Sequence, residues 1–233
     1  MRRSTFIFLL LAVLAGCREN ANVADFWNTH SIDYSDIDAA QDQFARYAEQ
    51  AVAAEKTDAL ASMDVLFDRL KEDEVGYYVY TDWIDGVFYN PLSPCRDADL
   101  YGKAVDRIVT DGILSKNEYA RFEQNLKWIG FNRVGESATV PGVELDGRRT
   151  LVLLLDPGCP SCREALTVLA EKPEWADVRR VAVVCAPGPD PDVPGWDYYY
   201  PEDATDVFDP SLTPMYFVIS ADGVVESTYK PAL

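Results

Sequence analysis

Residues 153–166 read LLLDPGCPSCREAL, and the two cysteines in that stretch, Cys159 and Cys162, are the residues whose type and spacing could do chemistry. Thiol–disulfide exchange proceeds by attack of a thiolate on a disulfide sulfur, so one thiol of a working pair must be accessible and have a lowered pKa. A cysteine that opens a helix meets both conditions, because unpaired N–H groups point at it and the helix dipole favours negative charge. Leu151–Leu155 supply an apolar strand before the pair, and Pro160 suits the first helical position, where its missing N–H costs nothing. Cys159 is thereby expected at the N-cap as the exposed nucleophile. Cys162 is expected one turn further in, more buried, where it can resolve a mixed disulfide. The helix should run from Pro160 to Glu171, with Leu166 and Leu169 to Ala170 turned towards a sheet.

A structural zinc site competes for the same spacing, but it needs four ligands, usually two such pairs or added histidines. The chain has one histidine, His30, far from the pair and best read as a surface or packing residue. No metal and no other cofactor is expected. Peroxide reduction would need a Thr-x-x-Cys loop, and Asp156 stands in the threonine position. Cys185 ends the apolar run VAVVC and reads as a small buried apolar side chain. Cys95 reads as a packed free thiol, with a Cys95–Cys185 bridge open as an alternative.

The state of the pair depends on compartment. The chain begins MRRSTFIFLLLAVLAGC, in which Arg2 and Arg3 precede a short apolar core and then Leu14-Ala15-Gly16-Cys17. That core is too short to span a bilayer and reads as a signal peptide, residues 1–16. Small residues directly before a cysteine resemble a bacterial lipobox, so Cys17 is expected to be the lipidated N-terminus. Several acyl chains, at about 0.8 kcal/mol per buried CH₂, would hold it at a membrane. Arg18 and Glu19 follow without an aspartate, which points to the periplasmic face of the outer membrane, with cell-surface exposure as the alternative. Such a location permits disulfides. Loss of Arg2 and Arg3 with the leader leaves 19 basic against 39 acidic residues, a net charge of −20. That surface should repel nucleic acid.

These residues need elements to position them. Residues 17–36 are polar and read as a tether that becomes structured around Phe26 and Trp27. In TDALASMDVLFDRLKED, Thr57 can cap a helix on which Leu60, Met63, Leu66, Phe67 and Leu70 recur at helical spacing. A second apolar stripe runs from Val79 to Phe88 and stops at Asn90-Pro91. A third helix opens with the capping-box pair Ser115 and Glu118 and aligns Tyr119, Phe122, Leu126 and Ile129. Residues 37–133 therefore form a helical domain of about five helices. After it the period changes. VELDGRRTLVLLL reads as a hairpin about Asp146-Gly147 leading into a buried strand, VRRVAVVC as a second strand, MYFVIS as a third, and VVESTY as a fourth joined through Ala221-Asp222-Gly223. Residues 134–233 read as an α/β unit with a mixed sheet, giving an α+β chain overall. Thr213-Pro214 sits directly before the third strand, about fifty residues after the cysteine pair.

With that combination, the chain resembles thioredoxin-like lipoproteins of the TlpA/ResA type. More narrowly, it resembles the Bacteroides-type lipoproteins in which a helical domain of unknown function precedes the thioredoxin-like module. NPLSPCRDADLY is similar to a segment of that group through Asn90, Pro91, Ser93, Pro94, Arg96 and Tyr101, and NRVGESA through Asn132, Arg133, Gly135 and Ala138. The resemblance implies a thioredoxin fold, Cys159 and Cys162 as redox pair, Pro214 as the cis-proline facing them, and Pro160, Ser161 and Thr213 as the flanking residues that contact substrate. Three departures stand out. Leu153 occupies the position of the buried acid of thioredoxins proper, the segment 187–206 is rich in Pro, Asp and Tyr where a regular helix belongs, and the C-terminal helix is missing. The function expected is a membrane-tethered thiol–disulfide oxidoreductase whose partners are thiols or disulfides of exported proteins. The rival is a non-catalytic interaction module with a static disulfide. The incomplete helical layer also predicts that the helical domain packs on the sheet as a fixed cover.

Overall fold

In a computed structural model of the chain, the described residues are 23–189, 191–227 and 229–233. The leader, Cys17 and the first tether residues lie outside them. After a 3₁₀ turn at Val23–Asp25 come α1 (Phe26–Thr29), α2 (Ile37–Ala53), α3 (Lys56–Leu70), α4 (Glu74–Ile84), α5 (Ala98–Asp111) and α6 (Lys116–Gly130). Aspartates start several of them: Asp36 accepts from the Ala39 amide, Asp73 from Gly76, and Asp97 from both Asp99 and Leu100. The capping box of Ser115 and Glu118 opens α6, and Gly112, at φ 65, ends α5 in the left-handed conformation that suits glycine. Thr57 does not cap. It lies inside α3, behind Glu55 at the N-cap, because the helix starts one residue before it.

The aromatic content of the helical part forms one core. Phe26 and Trp27 are 4 % and 0 % exposed and pack with Tyr47, so the segment is structured around these two rings and joins the core from Val23 onward. Burial of two large rings outweighs the cost of ordering the short segment that carries them. α4 runs on through a π turn at Asp85–Tyr89, which delivers Phe88 and Tyr89 inward before Asn90 stops it.

The second part contains β1 (Thr150–Leu155), α7 (Pro160–Glu171), β2 (Arg179–Val184), β3 (Asp197–Tyr199), α8 (Ala204–Val207), β4 (Met215–Ile219) and β5 (Lys230–Pro231). The strand order is β3-β2-β1-β4-β5. β1, β2 and β3 run parallel, while β4 runs antiparallel to β1 and β5 antiparallel to β4. The chain is α+β, a helical N-terminal part followed by a mixed-sheet domain. Every residue of β1 is buried, Leu151, Leu153 and Leu155 on the face covered by α7 and Val152 and Leu154 on the other. That is why this strand is apolar throughout instead of alternating.

Three sequence expectations change here. The Asp146-Gly147 turn forms, with Gly147 at φ 78, but the residues before it make no strand. The Glu144 carbonyl is taken by the Arg179 guanidinium at 2.7 Å instead of by a neighbouring strand. The chain after Gly223 turns back beside β4 with two hydrogen bonds, Ser220 N to Val224 O and Glu226 N to Val218 O, both 2.8 Å, but it remains a bridge rather than a strand. The ladder position beside β4 goes to Lys230–Pro231. The second sheet face is covered largely from within this part, by Val140, Ala204, Val207, Phe208 and Tyr229. The helical part touches that cover through Phe131 and through polar contacts: Trp128 Nε1 donates to Thr205 O at 2.8 Å, Lys127 pairs with Asp206 at 3.4 Å, and Tyr89 donates to Asp209 at 2.6 Å.

Candidate active site

β1 ends at Leu155 and the chain turns through Asp156-Pro157-Gly158 into α7. Asp156 makes this turn: its Oδ1 accepts the Gly158 amide at 2.8 Å, and its carbonyl accepts the Cys159 amide at 3.1 Å. Cys159 occupies the N-cap of α7 in extended conformation and Pro160 the first helical position, as the sequence indicated. Cys159 is half-buried at the surface. Cys162, one turn on, has no exposed area and faces the apolar side of the sheet with Leu153 and Leu166.

The pKa values of the two thiols are shifted in opposite directions. The Cys159 Sγ lies 2.9 Å from the Ser161 Oγ, and this hydroxyl is the main influence holding the Cys159 thiol below its ordinary pKa. The Cys162 thiol and the first amides of α7 add to it. Burial pushes the Cys162 thiol up to about 11, against a partial lowering by the Asp156 amide, which donates to its Sγ at 3.5 Å, and by the Thr213 hydroxyl. A thiol of lowered pKa at the helix start therefore stands beside a buried thiol of raised pKa.

Opposite the pair, the register of β4 against β1 places Met215 beside Leu154, so Thr213 and Pro214 stand next to Leu155 and Asp156. The Thr213–Pro214 peptide bond is cis. Cys159, Pro160, Ser161, Cys162, Thr213 and Pro214 thus meet at one end of the sheet, while Cys17 lies outside the described residues. Leu153 is fully buried among apolar neighbours, Cys162 among them.

Sequence reasoning missed a support of this turn. Gly188 rests on the Pro157 ring, where an added Cβ would stand 2.7 Å from the Pro157 Cβ. Its only signal was a glycine in a proline-rich segment. The remaining cysteines stand apart from the pair: Cys95 and Cys185 are both buried and unbridged, each in a different core cluster. Burial pushes the Cys185 thiol up to about 12. His30 is exposed and stacks on Phe26 with ring centroids 4.1 Å apart. Among the described residues no group of three or more His, Cys, Asp or Glu side chains is arranged to hold a metal ion, and no helix is long and apolar enough to cross a membrane.

Residues 1–17 match the model of the prokaryotic membrane lipoprotein lipid attachment site. This supports anchoring of the chain to a membrane of the cell envelope. A search of curated proteins finds no match. Among solved structures, a thioredoxin-like protein from Bacteroides caccae superposes with a TM-score of 0.70 at 16 % identity, over 98 % of this chain and 94 % of that one. At that identity the likeness defines the fold, which is thioredoxin-like. The C-terminal domain of an uncharacterized protein from Bacteroides fragilis aligns over 43 % of this chain and 91 % of its own length, with a TM-score of 0.37 and 16 % identity.

Proposed function

We propose that this chain is a membrane-tethered thiol–disulfide oxidoreductase that exchanges disulfides with exported proteins, of the TlpA/ResA type. The observation that carries this reading is the asymmetry of the pair: an N-cap thiol with lowered pKa, 2.9 Å from a serine hydroxyl, and a buried thiol one helical turn behind it. In the reductive direction the Cys159 thiolate attacks a substrate disulfide, forming a mixed disulfide and releasing one substrate thiolate. Cys162 then attacks the Cys159 sulfur, closing the Cys159–Cys162 disulfide and releasing the second. Pro160, Ser161, Thr213 and Pro214 surround the reacting sulfurs and form the contact surface for the substrate chain. Lipid on Cys17 would fix the protein to the periplasmic face of the outer membrane, with residues 37–133 and 134–233 acting as two domains. No cofactor takes part.

The rival reading, a non-catalytic module with a static disulfide, is favoured by Leu153. In thioredoxins proper a buried acid at this position serves proton transfer to the second cysteine, and here the site is apolar. The reduction potential of the pair separates the two. Catalytic couples fall between roughly −270 and −120 mV, and structural disulfides lie below about −300 mV. A value in the upper range together with reduction of insulin disulfides supports the oxidoreductase. A value below the range without insulin reduction supports the static disulfide.

A further inference from the structure

The segment NPLSPCRDADLY is one tightly folded turn in the helical part. Asn90 Oδ1 accepts from the Leu92 amide, Ser93 Oγ from the Cys95 amide, and Asp97 caps α5. The turn brings Arg96 back so that its Nε donates to the Tyr89 carbonyl at 3.1 Å, while its guanidinium lies 5.7 Å from the centre of the Tyr229 ring in the sheet domain. Tyr89, emerging from the π turn, is thereby fixed at the boundary with its hydroxyl 2.6 Å from Asp209 Oδ2.

Asp209 is 6 % exposed, and among the described residues it makes no ion pair. A buried carboxylate is retained only where hydrogen bonds replace water. Here one oxygen takes the Tyr89 hydroxyl and the other the Ser211 amide at 2.8 Å. The Asp209 carbonyl also accepts the Leu212 amide, and Thr213 Oγ1 donates to the Pro210 carbonyl at 3.1 Å. A continuous set of hydrogen bonds therefore runs from the helical part through Asp209 and the 3₁₀ turn at Pro210–Leu212 to Thr213, which stands beside the end of β1 and Cys162.

We propose that Tyr89 is a positioning residue for the cysteine pair: by holding Asp209 it sets the 209–214 segment, and so fixes Thr213 and Pro214 beside Asp156, whose amide donates to Cys162. This rests on the oxidoreductase reading above and adds to it a role for the helical part in the resolving step. In that step Cys162 gives its proton to water, the resulting thiolate attacks the Cys159 sulfur of a mixed disulfide, the new Cys159–Cys162 bond forms, and the departing thiolate takes the electron pair of the bond that breaks. The Asp156 amide, which donates to the Cys162 Sγ at 3.5 Å, stabilises the attacking thiolate, and the 209–214 segment standing beside Asp156 holds that amide in place.

The test uses the mature chain with glutathione joined to Cys159 by oxidised glutathione, following release of free glutathione. Tyr89→Phe keeps the ring and removes the bond to Asp209. It should slow release about threefold or more, the scale of one ordinary net hydrogen bond. Thr213→Val, which removes the bond to the Pro210 carbonyl within the same segment, should slow release similarly, and the double variant should be no slower than Thr213→Val alone, since both act through the placement of one segment. Asp209→Asn, which keeps the turn cap but weakens the acceptor facing Tyr89, should slow release in the same direction and serves if Tyr89→Phe does not fold. Unchanged release in Tyr89→Phe, or in Asp209→Asn, would show a purely structural bond and overturn the positioning role. A wild-type chain that never releases glutathione would instead overturn the oxidoreductase reading beneath it.

Discussion

The Cys159 thiol and the Ser161 hydroxyl stand 2.9 Å apart, and this contact contributes more to the lowered Cys159 pKa than the helix amides do. Ser161→Ala should therefore raise the Cys159 pKa and slow its alkylation at neutral pH by roughly three- to tenfold, the range for one hydrogen bond to a partly exposed charged group. Iodoacetamide rates against pH, measured in a Cys162→Ser background, check this. A profile that does not move would return the shift to the helix N-terminus alone.

Gly188 allows the loop after β2 to lie on the turn that carries the cysteines. An added methyl would meet the Pro157 Cβ at 2.7 Å, and Pro157 is buried and cannot swing aside. Gly188→Ala should cost about 1–3 kcal/mol by overpacking. It should also alter Cys159 reactivity, since Pro157 lies two residues before it. Urea unfolding of the reduced protein, paired with alkylation rates, separates the two effects. Loss of stability with unchanged reactivity would mean that the strain is absorbed in the 186–189 loop.

What was legible in the sequence was the part governed by local rules. The N-cap cysteine with Pro160 behind it, the span Pro160–Glu171, the buried strands and the capping box of α6 all follow from spacing and side-chain type. The elements that were missed depend on partners far along the chain. β3 is three residues of an Asp-Tyr-Tyr stretch that pairs only because β2 lies beside it. The Tyr89–Asp209 bond joins residues 120 positions apart, and neither residue type nor spacing marks it. Much of the cover of the second sheet face came from Ala204–Phe208, at the end of a run rich in proline and aspartate that hid the few apolar side chains that do the covering.

Cys162 gives a prediction with a definite sign. Its folded pKa is pushed up to about 11, so the native state favours the neutral thiol. The stability this contributes is complete below the unfolded thiol value of about 8.5 and is lost as pH rises through the folded pKa. In a Cys159→Ser background, stability should fall between about pH 9 and 11, by at most ~1.4 kcal/mol per pH unit. The Cys159→Ser/Cys162→Ser double variant should lack this component. Denaturation midpoints of the two proteins across that range are the measurement, and parallel curves would mean that Cys162 is not desolvated in the reduced protein.

The junction between the two parts can be tested at Asn132. This residue sits at φ 54, and its side chain closes a ring across the turn: Oδ1 accepts the Thr139 amide at 2.8 Å and Nδ2 donates to the Thr139 carbonyl at 3.0 Å. Asparagine tolerates the left-handed region, whereas alanine pays about 1–2 kcal/mol there. The two hydrogen bonds add roughly 0.5–1.5 kcal/mol each, and the buried position raises the cost of leaving a partner unmade. Asn132→Ala should thus destabilise the chain by about 2–5 kcal/mol. Asn132→Gly, which relieves the backbone but not the lost bonds, should cost clearly less. If the ring couples the two parts, Asn132→Ala should also broaden or split the thermal transition, because the helical core and the sheet cores are separate clusters joined by few contacts. Calorimetry of the two variants decides it: equal losses with a single sharp transition in both would show that the backbone conformation is unstrained and that the domains are held together elsewhere.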